Sequence, residues 1–289
     1  MNTLFKKAFW FLGFACFISP VSSFGQQELN IMTFNIRYNN PQDSLNSWPY
    51  RKDKLCSQVQ FYETDILGVQ EALNDQVQDL ESCLQKYERV GVGRDDGKTK
   101  GEYSALFVKK EKFAVLKDGT FWLSETPTVA GSKGWDAVCV RICTWAQLKN
   151  KADGKTLFVF NTHFDHVGKI ARSNSGHLIV HYIDSIAGKA PAILTGDLNS
   201  YPQEEAVQAI LDPANVCKLS DSKSISVEKH YGPDGTFNAF TNKETTNKPI
   251  DYIFVTKNFQ VLKHATLSQS WQGRFSSDHF PVWTRLRIN

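Results

Sequence analysis

The chain has 289 residues, of which 41% are hydrophobic and 22% charged, and its formal net charge is +3. That balance is ordinary for a globular protein. It is not basic enough to favour long nucleic acid as a substrate, because polyanion-binding domains carry a larger positive excess.

Lys6 and Lys7 precede an apolar run from Ala8 to Ile18, Pro20 breaks it, and Ser23 and Gly25 are small residues at a plausible cleavage site. This is the pattern of a secretory signal peptide over residues 1–25, and the run is too short for a convincing membrane span. The expectation is an exported protein, periplasmic or extracellular. A lipid-anchored form through Cys16 ranks second, since Gly13-Phe14-Ala15 lacks the expected leucine. Residues 26–289 then form a single domain, and losing Lys6 and Lys7 leaves a net charge of about +1.

Leu29 to Ile36 alternates as a first strand. Leu55, Val59 and Tyr62 give helical spacing over 51–62, and Asp65 to Val69 reads as a strand. A helix over 74–85, a strand over 89–92 and a polar loop over 93–101 follow. Strands then dominate, at 103–109, 113–122, 138–148 and 156–162, the last two as a hairpin. Residues 169–187 predict a helix whose apolar face is Ile170, Leu178, Ile179, Tyr182, Ile183 and Ile186. A strand at 192–195 and a helix after Pro202 come next. The polar, turn-rich stretch 213–248 reads as a long surface excursion over the site, and strands at 251–255, 260–266 and 280–287 close the chain. Spacing alone gives α/β or α+β.

Five cysteines remain after Cys16 is removed. Cys139 and Cys143 lie four apart in a strand, too far to bridge. Cys56 and Cys83, on the two early helices, are the best disulfide candidates, with buried thiols as the alternative. The absence of a Cys-x-x-Cys pair leaves a structural zinc site unsupported.

The chemistry concentrates in five short segments: Asn35 in Thr33-Phe34-Asn35-Ile36-Arg37, Glu71 in Gly68-Val69-Gln70-Glu71, His163 in Asn161-Thr162-His163-Phe164-Asp165, Gly196-Asp197-Leu198-Asn199, and Ser277-Asp278-His279-Phe280-Pro281. Four follow strand-like runs and the fifth precedes one. Carboxylates and amides at strand ends supply hard oxygen donors, which suit Mg²⁺ or Mn²⁺. Two histidines beside such an ion suit proton transfer and phosphate contact. Together they point to metal-assisted hydrolysis of a phosphate ester.

With Ile250-Asp251-Tyr252-Ile253-Phe254 added, the ordered set resembles the endonuclease/exonuclease/phosphatase (DNase I-like) superfamily over residues 28–289. That superfamily includes DNase I-like nucleases, abasic-site endonucleases, deadenylases, sphingomyelinases and inositol-phosphate phosphatases. The stretch Asn161 to His166 is closer to the deadenylase-like and bacterial secreted branch than to DNase I itself. The resemblance implies a four-layer αββα sandwich of two mixed sheets flanked by helices. It implies Glu71 as the principal metal ligand, with Asn35 and Asp278 beside it. Asp197 would prepare the attacking water, Asn199 orient the phosphate, and Asp251 hydrogen-bond His279, fixing its tautomer and raising its pKa. His163 would lie across the phosphate with an acidic partner, for which Glu102 is the candidate.

Arg141 is a candidate phosphate ligand, against an ordinary strand ion pair. Arg172 is a second, against a solvated helix face. Asp165 could support the site from behind. His177 and His181 lack the glutamate of a zinc-protease helix. Trp48, Trp122, Trp135 and Trp145 could stack bases but suit core or loop anchors better. Three substrate classes compete: nucleic acid, small nucleotides or sugar or inositol phosphates, and lipid headgroups. The mature charge favours the small esters. A catalytically inactive phosphate-binding module is the rival from another class.

Overall fold

A computed structural model describes residues 28–242 and 246–289, so the expected signal peptide lies outside the described residues. The elements in chain order are β1 (Glu28–Asn35), α1 (Lys52–Phe61), β2 (Ile66–Gln70), α2 (Asn74–Cys83), β3 (Tyr87–Val90), β4 (Leu106–Lys109), β5 (Phe113–Trp122), β6 (Ile142–Asn150), β7 (Thr156–His163), α3 (Lys169–Ala187), β8 (Ala192–Asp197), α4 (Glu205–Leu211), β9 (Leu219–Asp221), β10 (Asp251–Thr256), β11 (Phe259–Thr266) and β12 (Val282–Ile288). One mixed sheet runs β11-β12-β1-β2-β4-β3 and the other β5-β6-β7-β8-β10-β9.

The two sheets face each other over Leu29, Ile31, Ile66, Leu106, Leu157, Val159, Ile193, Ile253 and Val255. Helices α1 and α2 cover the outer face of the first sheet through Leu55, Val59, Val77 and Leu80. Helices α3 and α4 cover the second through Ile179, Ile183, Val207 and Ile210. These are the four layers of an αββα sandwich. Central strands with both faces covered read as near-continuous apolar runs, and β1 and β8 are buried along nearly their whole length.

Cys56 and Cys83 form a disulfide between α1 and α2. Closing a loop of that separation stabilises the fold by about 3.5 kcal/mol in the chain-entropy picture. Cys139, Cys143 and Cys217 are free. Among the described residues, no helix is long and apolar enough to cross a membrane.

Three expectations need correction. The strand expected from 138 begins only at Ile142, because the Val138 and Cys139 amides donate to the Asp165 carboxylate instead of to a ladder. On α3, Ile170 is exposed while Ala171, Arg172 and Ser175 are buried, so the packed face is rotated from the one the apolar residues suggest. The small residues let α4 come close: a Cβ on Gly176 would lie 2.6 Å from the Ala206 carbonyl oxygen. Third, 213–248 is more than a surface excursion. It supplies β9 as an edge strand against β10, and Phe237 bridges His279.

Topology gathers the site. β1 and β2 run parallel, as do β7 and β8, so Asn35, Gln70, His163 and Asp197 end together. β10 runs antiparallel to β8 and starts where β8 stops, pairing Asp251 with Asp197. β12 runs antiparallel to β1, which brings the preceding Asp278 and His279 to the same end.

Candidate active site

Behind that end, the apolar layer between the sheets gives way to polar groups. Gln70 Nε2 donates to Thr33 Oγ1 (3.0 Å) and Asn161 Oδ1 (2.7 Å), and Thr195 Oγ1 donates to the same Asn161 oxygen at 2.9 Å. Asn161 Nδ2 donates to the Val69 and Ala105 carbonyls of the opposite sheet. Gly68 makes room for this layer, since a Cβ there would lie 2.5 Å from Asn161 Oδ1. Buried polar groups bonded to one another across the two sheets favour a single arrangement, here the relative position of the strand ends, with Gln70 Oε1 left without a partner.

Asp197 occupies the centre and is 1% exposed. Its carboxylate accepts from Asn35 Nδ2 at 2.8 Å and from the Asn199 amide at 2.9 Å. His163 Nε2 lies 3.5 Å and His279 Nε2 3.8 Å from Asp197 Oδ2. Burial, reinforced by the nearby Asp251 charge, pushes the Asp197 carboxyl up to about 7. Asp197, Asp251 and His279 bring ligand-type atoms within 4.8 Å of one another.

His279 Nδ1 meets Asp251 Oδ2 at 2.9 Å. Burial disfavours its charge, but Asp251, Asp197 and Asp278 outweigh burial and hold it well above the usual histidine range. The other Asp251 oxygen is buried without a partner. The segment from 236 to 239 buttresses this wall. Phe237 sets its ring edge-on to His279 at 5.0 Å, and the Asn238 and Ala239 amides donate to the Asp278 carbonyl.

The expected metal ligands lie on the adjoining side. Glu71 accepts from Asn35 Nδ2 (3.1 Å) and the Tyr38 amide (3.2 Å). Burial and the Glu71 charge both raise Asp278. Two carboxylates that repel each other form a hard donor pair that a divalent cation satisfies, so Glu71 and Asp278 fit one, whereas Asn35 turns its Nδ2 toward Glu71 and Asp197 and its oxygen takes the Arg37 amide. Glu71, Arg37 and Asn199 all hold φ between 46° and 63°. Left-handed backbone at three non-glycine residues is strain concentrated where the chain leaves β1, β2 and β8.

The opposite wall departs from expectation. His163 Nδ1 faces Arg141 Nη1 at 2.9 Å, not Glu102. Glu102 instead pairs with Arg94 at 2.5 Å and stands 4.0 Å from Arg141, so its link to His163 runs through that guanidinium. Burial, then the Arg141 charge, drives His163 well below the usual range. Arg141 is buried and its two terminal nitrogens point at His163 and His166. Arg172 is buried too, not on a solvated face, and donates to the Asp165 carbonyl at 3.2 Å. Asp165 accepts four backbone N–H bonds, from Val138, Cys139, Val167 and Gly168. Those bonds overcome burial and hold its carboxyl down at about 2.

Asn199 Nδ2 donates to the Phe164 carbonyl at 3.0 Å beside His163. Trp48 and Trp122 are buried anchors, their indole N–H groups on Asp79 and the Arg94 carbonyl. His177 and His181 are exposed on α3.

Sequence reasoning missed Arg51. Its guanidinium donates to the carbonyls of Ile36, Arg37, Asn46 and Ser276, tying the Asn35 turn to the Asp278 turn. Burial lowers it to about 10. An arginine heading an amphipathic helix gives no signal of such a role. Arg37 was also missed. It stacks over Tyr38, pairs with Asp43 and comes within 3.8 Å of Asp278.

A two-sheet sandwich with this cluster at one end defines a phosphoric ester hydrolase. The chain belongs to the Endonuclease/Exonuclease/phosphatase family, whose model matches residues 32–279. It is similar to the endonuclease/exonuclease/phosphatase of Bacteroides vulgatus, with 44% identity, a TM-score of 0.87, and 91% of this chain and 100% of that one covered. It is also similar to a mannosyl-6-phosphatase of Bacteroides thetaiotaomicron, with 39% identity, a TM-score of 0.84, and 90% and 100% covered. A curated relative, the CCR4-Not complex 3'-5'-exoribonuclease subunit Ccr4 of Mycosarcoma maydis, is 22% identical over 81% of this chain. The chain spans about 45% of that relative's length. Divalent-metal dependence goes with the family.

Proposed function

We propose that the chain is an exported phosphoric ester hydrolase that works with Mg²⁺ or Mn²⁺ on a small or nucleotide-like ester. The observation that carries the reading is the convergence of Asp197, Asn35, Asn199 and the Asp251–His279 pair on one buried point. A cation held by Glu71 and Asp278, with Asn35 bonded to Glu71 beside it, would supply charge neutralisation for the phosphoryl oxygens.

Water attacks phosphorus in line, and the bond to the leaving oxygen breaks. Asp197, raised towards neutrality by burial and Asp251, takes the proton the water gives up. His279, kept charged by Asp251, offers its Nε2 proton to a phosphoryl oxygen as negative charge builds. Asn199 orients the same group, and the leaving oxygen takes its proton from solvent.

The small-ester reading is supported by the near-neutral mature charge and by likeness to a mannosyl-6-phosphatase. Export is supported by the N-terminal pattern and by a disulfide, which persists in oxidising compartments. The second reading is a secreted nuclease, favoured by the likeness to an exoribonuclease subunit.

One experiment separates them: kcat/KM for sugar phosphates, nucleotides, RNA and duplex DNA, with Mg²⁺ and Mn²⁺, across a salt series. The small-ester reading expects a shallow salt dependence and the best turnover on small esters. A preference for duplex with a steep negative slope, near −0.9 per phosphate contact, rejects it in favour of the nuclease.

A further inference from the structure

We propose that Arg141 is a positioning residue that holds His163 as a neutral imidazole with its proton on Nε2. His163 then serves the reaction as a fixed hydrogen-bond donor to a phosphoryl oxygen, not as an imidazolium acid. This rests on the phosphoesterase reading of the site.

The argument is a count of donors. A guanidinium has five N–H groups and no acceptor. Arg141 Nη1 lies 2.9 Å from His163 Nδ1, so the bond between them exists only if Nδ1 offers a lone pair. A neutral imidazole with an unprotonated Nδ1 carries its single proton on Nε2. An imidazolium would place two donors 2.9 Å apart with nothing between them, in a site where His163 is 5% exposed.

Arg141 is arranged to give this bond. Its second terminal nitrogen is 3.1 Å from His166 Nδ1. Its Nε lies 3.7 Å from Asp165 and has no hydrogen-bond partner. Glu102 stands 4.0 Å from Nη1. The two carboxylates therefore offset the buried charge from a distance without taking up its terminal N–H groups, which are left for the two imidazoles. Asp165 also anchors the segment carrying Arg141, because it accepts the Val138 and Cys139 amides.

The consequence appears at Nε2. Asn199 Nδ2, which already donates to the Phe164 carbonyl, lies 3.1 Å away and competes for the Nε2 lone pair. Arg141 wins because a charged donor bonds roughly twice as strongly as a neutral amide, and because Asp197 Oδ2, 3.5 Å from Nε2, is an acceptor for the Nε2 proton. Two N–H groups therefore converge beside Asp197, which makes a place for an incoming acceptor oxygen. Donors fixed before the substrate arrives stabilise charge without reorganising, which is worth more than a flexible donor. His163 and His279 are thus not an acid–base pair of equal members. One is a neutral donor and the other a cation.

The test is ¹⁵N NMR of histidine-labelled full-length chain from pH 5 to 8, with and without Mg²⁺, the His163 signal assigned from His163→Gln. The proposal expects an unprotonated Nδ1, a protonated Nε2 and no titration in that range. In Arg141→Met, the freed Nδ1 should gain a proton nearer the ordinary histidine value of about 6.5, and the acid limb of kcat that Asp197 already gives the wild type should steepen as a second group titrates. Arg141→Lys, which can only donate, should keep the wild-type tautomer and pH profile shape. A wild-type His163 that is protonated on Nδ1, or that titrates between pH 5 and 8, overturns the proposal. So does an Arg141→Met pH profile identical to wild type. The NMR result needs no substrate, so its failure is distinguishable from failure of the phosphoesterase reading, which would show as no turnover on any ester.

Discussion

The two histidine walls of the cleft are built from the same kind of residue and reach opposite electrostatic states. His279 sits on Asp251 and is held charged. His163 sits on Arg141 and is held neutral. Both rings are almost fully buried and both Nε2 atoms approach Asp197 within 4 Å. Burial penalises the charged form of both rings, so the side chain behind Nδ1 decides the outcome. A pair of histidines alone therefore does not identify an acid and a base.

The comparison can be broken first at the expected metal ligand, which belongs to neither wall. Glu71→Gln should lower turnover about 10²–10³-fold or more and shift the Mg²⁺ requirement upward, because it weakens the hold on the cation that would offset the transition-state charge. A Mg²⁺ titration of kcat checks it, and full activity at low Mg²⁺ rejects the assignment.

His279→Ala should cost about 10²–10⁴-fold, and Asp251→Asn should be a milder version. The sign follows from the forces on the ring. With Asp251 neutral, burial is less opposed, so His279 loses its proton at a lower pH. The alkaline limb of the kcat profile should therefore move to lower pH in Asp251→Asn. An unchanged rate and profile would remove the pairing.

Away from the cleft, replacing Cys56 and Cys83 together by serine should cost about 3.5 kcal/mol, read by urea unfolding, with kcat of the folded fraction unchanged. That result would show that the walls depend on the strand ends and not on the α1–α2 link.

The smallest effect belongs to the foundation of the His163 wall. Asp165→Asn should lose about 2 kcal/mol at pH 7, since charge-assisted bonds to backbone N–H groups exceed neutral ones. Its folded carboxyl is held near 2, below the ordinary value of about 3.9. The stabilisation is therefore complete above about pH 4 and fades as pH falls towards 2. Unfolding measured from pH 7 down to pH 2 should show the gap between wild type and variant closing over that window.

Much of this protein was legible before the fold was known. Apolar runs ending in Asn35, Gln70-Glu71, His163 and Asp197 revealed where strands stop and polar chemistry begins, because a carboxylate at the end of a buried strand is costly without a partner. Even the Asp251–His279 pair followed from the resemblance those residues carry. The face of α3 was less legible. Apolar spacing chose Ile170, but Gly176, Ala171 and Ser175 decided which side α4 could approach.

What the sequence determined by itself was local and periodic: the strands, the residues at their ends and the family. The tertiary structure alone decided which groups became neighbours. Arg141 replaced Glu102 behind His163, and Arg51 bound two distant turns. The physical reason is range. Periodicity records which face of an element is buried, whereas the charge of a buried side chain depends on groups a few ångströms away that can be a hundred or more positions distant in the chain.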